Sequence, residues 1–483
     1  MPRVRVILRL AIREIHDQTR SHRFLYLTAI AGLLTPLIVY VGVQDFATRQ
    51  AQFALLVQQR AAAGAARGPA HMTGRQVEPT LRVIRPPQPT GVLVRGFDGV
   101  LPRFWDFAPE GTHAGASGDS ASRTPQSGVS LDLEFLIRII LGLLAVSLAT
   151  GSLAAERESG MLSVLISQPI RASDVLTAKL LGGVATVGLA LSVVITGAAA
   201  ALGIFGPELW SRDFEITLIG LSGAALLYLS ALYALGVLIG AVVSSVSAAN
   251  VASLSVWIVV VAAAVPTIDV LARVIAAGPA PDLVESHRQG EFDAQLRATQ
   301  ISVGRWFADA TGPHWSEPAA ADAVQEQIRT RWATRALTLR HDLTNIDDQA
   351  VGTTAHQWRL WTELSSYTPS SVFFDAATRL AGTGLPTADR WDRATQASQA
   401  FLNGALFDDP ALVILRVPTD RGTNSVAVQL HAFPDEGTLK KPVQVDTSLR
   451  TAWADARRPL AVLMAYVIGL VSLTFVVFPK TRY

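Results

Sequence analysis

The sequence predicts an α-helical polytopic membrane protein with six transmembrane helices, both termini cytoplasmic, carrying mixed α/β extracytoplasmic domains. Three observations predict it. Half of the 483 residues are hydrophobic and only 17% are charged, against about 25% in ordinary soluble domains. A helix crosses roughly 30 Å of hydrocarbon with about 20 apolar residues, and six stretches meet that length: 24–43, 132–155, 175–205, 214–243, 251–275 and 459–478. Basic residues in short loops mark the cytoplasmic side. Arg3, Arg5, Arg9, Arg13, Arg20 and Arg23 precede the first stretch, Arg157, Arg171 and Lys179 flank the second connection, and Lys480 and Arg482 follow the last. Six spans put all three clusters on one side; the 244–250 turn, which shares that side, carries no Lys or Arg.

Each element follows from its local pattern. In "VRVILRLAIREIHDQ", Val4, Ile7, Leu8, Ala11 and Ile15 fall on one helical stripe with Arg5, Arg9 and Arg13 largely opposite. Residues 1–23 therefore read as a basic amphipathic helix lying in the lipid bilayer interface. The apolar run that follows is about twice the length of a signal-peptide core, and no small-x-small cleavage site follows it, so it reads as an uncleaved first span. The first extracytoplasmic segment, 44–131, opens with a helix-like stretch at 46–68. Short strands are predicted at 81–84 and 92–94, separated by prolines, and a flexible Gly/Ser/Asp-rich stretch at 110–128. The third and fourth spans are long and rich in glycine, so tilt or a break is expected there. The second extracytoplasmic domain, 276–458, is long enough to fold independently. It reads as helical over 291–364, with a turn at 368–371, a further helix, and strands at 411–420 and 425–433. A short cytoplasmic tail, 479–483, ends the chain.

The inventory for catalysis is thin. The nine histidines are scattered, with no H-E-x-x-H and no pair at metal-ligand spacing. There is no G-x-x-x-x-G-K-[ST], and the glycine turns at 64–68 and 382–386 lack the lysine and helix a phosphate loop needs. Asp408 and Asp409 are adjacent in a proline-terminated loop and read as a solvated turn. The absence of cysteine excludes disulfides, thiolate metal sites and cysteine nucleophiles. No catalytic, cofactor or metal site is expected in this chain, and a net charge of +2 gives no electrostatic footprint for nucleic acid.

Within the spans, charge is costly, at least ~2.5 kcal/mol per group at mid-membrane. Glu134 with Arg138, and Asp269 with Arg273, stand four apart at the outer ends of the second and fifth spans and read as i,i+4 pairs. No acid lies deeper, which disfavours proton- or ion-coupled transport. Small residues recur instead: Gly182 and Gly183 in the third span, Gly220, Gly223, Gly236 and Gly240 in the fourth. The Gly236–Gly240 pair forms a G-x-x-x-G, whose spacing permits close helix packing, although glycine is common in membrane helices generally.

The stretch "ERESGMLSVLISQPIRASD", 156–174, sits between two spans on the basic side. Met161, Leu162, Leu165 and Ile166 form an apolar patch. Glu156 and Glu158 are expected in the first turn of a short helix, where negative charge suits the dipole, and Pro169 is expected to stop it. Ser173 then caps the next helix, with Asp174 in its first turn. Such a helix either rests its apolar face on the bilayer or presents it to a soluble partner.

"AAERESGMLSVLISQPIRASDVLTAKLLGG" resembles the cytoplasmic segment of ABC-2-type permeases, the membrane subunits of type-2 ABC exporters. The matching residues are Glu156, Arg157, Glu158, Gly160, Met161, Leu162, Ser167, Pro169, Leu176 and Lys179, with Met161 where threonine is commoner. The sequence over 364–403 is similar to a branch of that family with expanded extracytoplasmic domains. The resemblance implies an exporter permease in the bacterial cytoplasmic (inner) membrane, with ATP and Mg bound by a separate ABC ATPase subunit. Glu156, Arg157, Glu158, Gly160, Met161, Leu162, Leu165, Ile166 and Pro169 would couple the two, and a second permease chain, identical or related, would complete the complex. The outer domains would receive substrate, pass it to a periplasmic partner or gate the exit. Two rival readings share the composition: a mechanotransmission subunit that moves its outer domain without passing substrate, and a membrane-anchored receptor or enzyme.

Overall fold

A computed structural model describes residues 2–65, 81–99, 101–108, 111–115, 131–159, 171–243, 245–278, 281–310, 355–408 and 445–478, with isolated helical positions between 330 and 353. The chain opens with α1 (Pro2–Thr19) and, after a break at Arg20 and Ser21, continues into α2 (His22–Ala65). At 44 residues, α2 is about 66 Å long, roughly twice the hydrocarbon thickness. The first span and the helix-like stretch that follows it are thus one rod. On α1, Ala11, Glu14 and Gln18 are buried, while Val4, Leu8 and Ile12 are exposed, leaving an apolar strip free to lie on lipid.

The remaining apolar helices are α3 (Leu133–Glu158), α4 (Ala172–Phe205), α5 (Arg212–Val242), the pair α6 (Val246–Ala262) and α7 (Ala264–Ile275), and α11 (Leu449–Val477). Among the described residues, five helices are long and apolar enough to cross a membrane, six if α6 and α7, bent by 46°, count as one span. Among the described residues this is the architecture of an α-helical polytopic membrane protein. Side-chain caps start several of these helices. Asp132 accepts from the Phe135 N–H, Ser211 from Phe214 and Ser245 from Ala248, each satisfying an orphan donor.

Of the tilt or break expected in the third and fourth spans, the break does not occur: α4 and α5 run unbroken. Irregularity lies instead in α3, with a π turn at Ile137–Leu141, and in α6, with another at Ile258–Ala262. In α4 and α5, Gly182, Gly183, Gly220, Gly236 and Gly240 sit at close helix contacts. The two π turns face each other: Arg138 Nη1 donates to the Val261 carbonyl at 3.4 Å. Tyr228 Oη donates to the Arg138 carbonyl at 2.9 Å, and Ser370 Oγ to that of Val260. Arg138 Nε also donates to Glu134 Oε1 at 2.7 Å, forming the i,i+4 pair in a buried setting. Asp269 differs from the simple pairing expected of it, because its carboxylate receives the buried Trp361 indole N–H at 2.7 Å while Arg273 Nε donates to its backbone carbonyl.

Outside the spans stand α8 (Pro281–Ala310), α9 (Pro369–Leu380), α10 (Leu385–Asp408) and a helical run at 355–364. An antiparallel sheet of order β1-β2-β3 is built from β1 (Leu81–Ile84), β2 (Phe104–Ala108) and β3 (Gly111–Gly115). Ile84 pairs with Phe104, and Ala108 with Gly111. Gly111–Gly115 is therefore a strand, where a flexible stretch was expected. The strand expected at 92–94 is absent: Pro89–Val92 is a 3-10 turn, and Val92, Leu93 and Val94 are all buried instead of alternating. The strands expected at 411–420 and 425–433 lie outside the described residues.

Thr368 caps α9 by accepting from the Ser371 N–H, with Pro369 at the first helical position. The helix ends in a Schellman motif: Gly382, at φ 69°, is the left-handed residue, and the Thr383 N–H reaches the Thr378 carbonyl at 2.9 Å. That turn joins the 81–99 segment to α9 and α10. The Phe97 N–H donates to the Thr383 carbonyl at 3.0 Å, and Thr383 Oγ1 to the Val94 carbonyl at 3.0 Å. Gly96, at φ 50°, has no room for a side chain, since a Cβ would lie 2.7 Å from Thr378. One apolar core runs from α2 through α5 into α9, where Phe373 stacks on Tyr228. A second joins Phe97, Ile268, Trp361 and Phe374.

Candidate cytoplasmic coupling site

Glu156, Arg157 and Glu158 form the last turn of α3, not the first turn of a separate helix. The apolar run of the span ends at Ala155, immediately before them, but the helical backbone does not. A carboxylate at a helix C-terminus opposes the dipole, so these acids need partners. Glu156 Oε1 lies 3.0 Å from Lys179 Nζ on α4. Arg157 Nη1 donates to the Ala241 carbonyl at 2.8 Å, one of the orphan acceptors at the end of α5. Glu158 Oε2 accepts from the Val246 N–H at 2.8 Å, an orphan donor at the start of α6. Successive helical side chains point about 100° apart, and that divergence lets three consecutive residues grip three different helices.

Behind this turn is a buried polar network. Lys179 Nζ also contacts Glu14 Oε2 at 3.1 Å, and Lys179 is 4% exposed. Gln18 Nε2 donates to Glu14 Oε1 at 2.6 Å and to the Tyr233 hydroxyl at 2.7 Å. The amphipathic helix α1 is thereby tied to α3, α4 and α5 at one end of the bundle. Glycines in α4 make the approach possible: a Cβ on Gly183 would fall 1.7 Å from Tyr233 Cζ, and one on Gly182 would fall 2.8 Å from the Ala11 carbonyl. Arg3 forms two contacts with Asp174, at 3.1 and 3.2 Å, fastening the start of α1 to the first turn of α4. That helix begins at Ala172 with Arg171 as its N-cap and no side-chain cap bond. Ser173, expected as the cap, lies inside the helix and accepts Thr177 Oγ1 on its carbonyl.

Gly236 and Gly240 lie where α5 crosses α3. A Cβ on Gly236 would sit 2.6 Å from Ala149 Cβ and 2.8 Å from the Val146 carbonyl, and one on Gly240 would sit 3.2 Å from the Thr150 carbonyl. Gly160, Met161, Leu162, Leu165, Ile166 and Pro169, with Ser167, lie outside the described residues. Glu14, Gln18 and Tyr233 are parts of the site that sequence reasoning did not single out. Their one local signal was an acid and an amide four apart on an otherwise basic helix.

Among the described residues, no three His, Asp or Glu side chains are grouped to hold a metal ion. What the arrangement offers is a multi-helix joint: a lysine between two carboxylates, and one helix terminus clasping three others. Comparison with curated proteins returns no match. Residues 8–300 match the family described as ABC-2 family transporter protein, a region that contains the Glu14–Lys179–Glu156 network, the Glu156–Glu158 turn and every apolar helix from α2 to α7. With five or six apolar spans and a family match over more than half of its length, this chain is an integral membrane permease that belongs to the ABC-2 transporter family.

Proposed function

We propose that the chain is the permease subunit of an ATP-driven exporter in the bacterial cytoplasmic membrane, powered by a separate ABC ATPase subunit that binds ATP and Mg. Two permease chains, identical or related, would form the translocation unit, and the 156–169 segment would dock on the ATPase. The observation that supports this reading best is the grip of the Glu156–Arg157–Glu158 turn on α4, α5 and α6. The docking segment emerges directly from that turn, so a push on it reaches three spans and α1 together.

The test uses the chain's lack of cysteine. Single cysteines at Met161, Leu162, Leu165 and Ile166, in the permease co-expressed with its ATPase, should crosslink to that subunit in a nucleotide-dependent way. Glu158→Lys should abolish transport-linked ATP hydrolysis while leaving membrane insertion intact. Absence of crosslinking at all four positions, together with normal function of the Glu158 variant, would refute the proposal.

One observation favours a second reading, in which spans drive the outer domain mechanically and no substrate crosses. Helix α9 is clamped into the span ends by the Phe373–Tyr228 stack and by Arg379 Nη1 donating to the Asp455 carbonyl at 3.2 Å. Transport of a substrate into sealed vesicles distinguishes the two.

A further inference from the structure

Helix α1 has three faces. Ala11, Glu14 and Gln18 are buried against the bundle. Val4, Leu8 and Ile12 form an apolar strip whose members are 71%, 59% and 57% exposed. Arg5 and Arg9, and Arg20 just past the helix end, are exposed as well. Residues three apart on a helix lie about 60° apart around it. Ala11 therefore stands to one side of Leu8 and Arg5 to the other, and Arg9 holds the same place beside Ile12. The strip runs between the bundle contact and a row of arginines.

Charge pairing sets these arginines apart from the others nearby. Asp174 takes Arg3, and Asp17 takes Arg13 at 3.6 Å. Among the described residues, Arg5, Arg9 and Arg20 meet no carboxylate. The first turn of α1 holds no acid, so the helix dipole opposes Arg5 instead of compensating it. The height of the helix supplies a counter-charge. The apolar run of α2 begins at Phe24, shortly after α1 ends at Thr19, which places α1 at a membrane face. We propose that the exposed side of α1 binds anionic phospholipid, with Val4, Leu8 and Ile12 among the acyl chains and Arg5, Arg9 and Arg20 on the headgroup phosphates. A charged leaflet offers an apolar layer and negative charge side by side, as the strip and the arginine row require. An acidic protein surface matches only the second. Through Glu14 and Lys179, and Gln18 and Tyr233, lipid held on α1 also steadies α4 and α5. The surface needs neither an ATPase nor a transported substrate, so its test stands apart from that of the exporter reading.

The full chain, which lacks cysteine, carries a fluorescent donor on Thr19→Cys and is placed in phosphatidylcholine nanodiscs. Each disc contains a trace of tail-labelled acceptor lipid, either phosphatidylglycerol or phosphatidylcholine at equal mole fraction. Energy transfer to phosphatidylglycerol should be the stronger, and the preference should shrink as salt rises. An arginine beside an anionic leaflet is worth about a fivefold preference. Arg5→Gln with Arg9→Gln should therefore lower the phosphatidylglycerol preference at least fivefold, whereas Arg5→Lys with Arg9→Lys should keep it. Both positions are exposed, so the thermal midpoint in pure phosphatidylcholine should not move in either pair. Equal transfer to the two lipids would overturn the proposal and leave the arginine row to a protein partner. A preference indifferent to salt, or unchanged in the glutamine pair, would overturn it too.

Discussion

Replacing Lys179 by methionine keeps the side chain's reach and removes its charge. In the native chain the ammonium lies 3.1 Å from Glu14 Oε2 and 3.0 Å from Glu156 Oε1, with the residue 4% exposed. At an effective dielectric of about 20, each contact is worth about 5 kcal/mol. Desolvating the lysine offsets much of that sum. What unfolding measures is the state left behind: two carboxylates facing one another without a cation. Removing one partner of a buried pair costs about 3–5 kcal/mol, and that is the loss expected for Lys179→Met. The assay is denaturant unfolding of the full chain in detergent, followed by tryptophan fluorescence. Adding Glu14→Gln removes the more deeply buried acid and should restore at least half of the loss. A loss below about 1 kcal/mol for Lys179→Met, or no recovery in the double variant, would show that the network does not hold α1 to the spans as described.

Three further outcomes follow from the geometry. Gly236→Ala puts a methyl 2.6 Å from Ala149 Cβ and should cost about 1–3 kcal/mol by overpacking; Gly223→Ala, with nothing within 4 Å, should be neutral in the same unfolding assay. Burial alone would raise the Asp98 carboxyl, but Arg85 and Arg49 outweigh it and hold it below its ordinary value of 3.8. Its stabilisation is present above the unfolded-state value of about 4 and is lost as pH falls through the lower folded value. Thermal melts should therefore weaken below about pH 4, and Asp98→Asn should lower the midpoint at pH 7 and flatten that dependence. Tyr233→Phe removes the acceptor of Gln18 Nε2 and should cost about 1 kcal/mol, read by the same melts.

The spans are legible in the sequence because lipid demands long apolar runs, and 24–43, 214–243 and 459–478 contain little else. Their ends are less so. Polarity marks where the hydrocarbon stops, not where the backbone unwinds, so Glu156–Glu158 looks like the start of a new helix although it completes α3. The same confusion divides α2, whose helix continues far beyond Val43. The 92–94 strand fails because alternation there is only Val-Leu-Val, and Pro89 and Gly91 favour a turn that buries all three residues. Half of the joint around Lys179 is invisible for another reason. Glu14 and Lys179 are 165 positions apart, and no local pattern links an acid on a basic helix to a lysine at the mouth of a distant span. The G-x-x-x-G is local, and there spacing alone points to the place where α5 meets α3.

The two π turns set the mechanical character of this bundle. A π turn holds one residue more than the α turn it replaces. Restoring α geometry at Ile137–Leu141 or Ile258–Ala262 would swivel everything beyond it by about 100° and shift it by about 1.5 Å. Any such change would have to break the hydrogen bonds that meet at these turns. Tyr228, Arg138 and Ser370, which hold the carbonyls of Arg138, Val261 and Val260, act as detents on that swivel. One of the three, Ser370, belongs to α9, so a helix distant in sequence takes part in holding the second π turn.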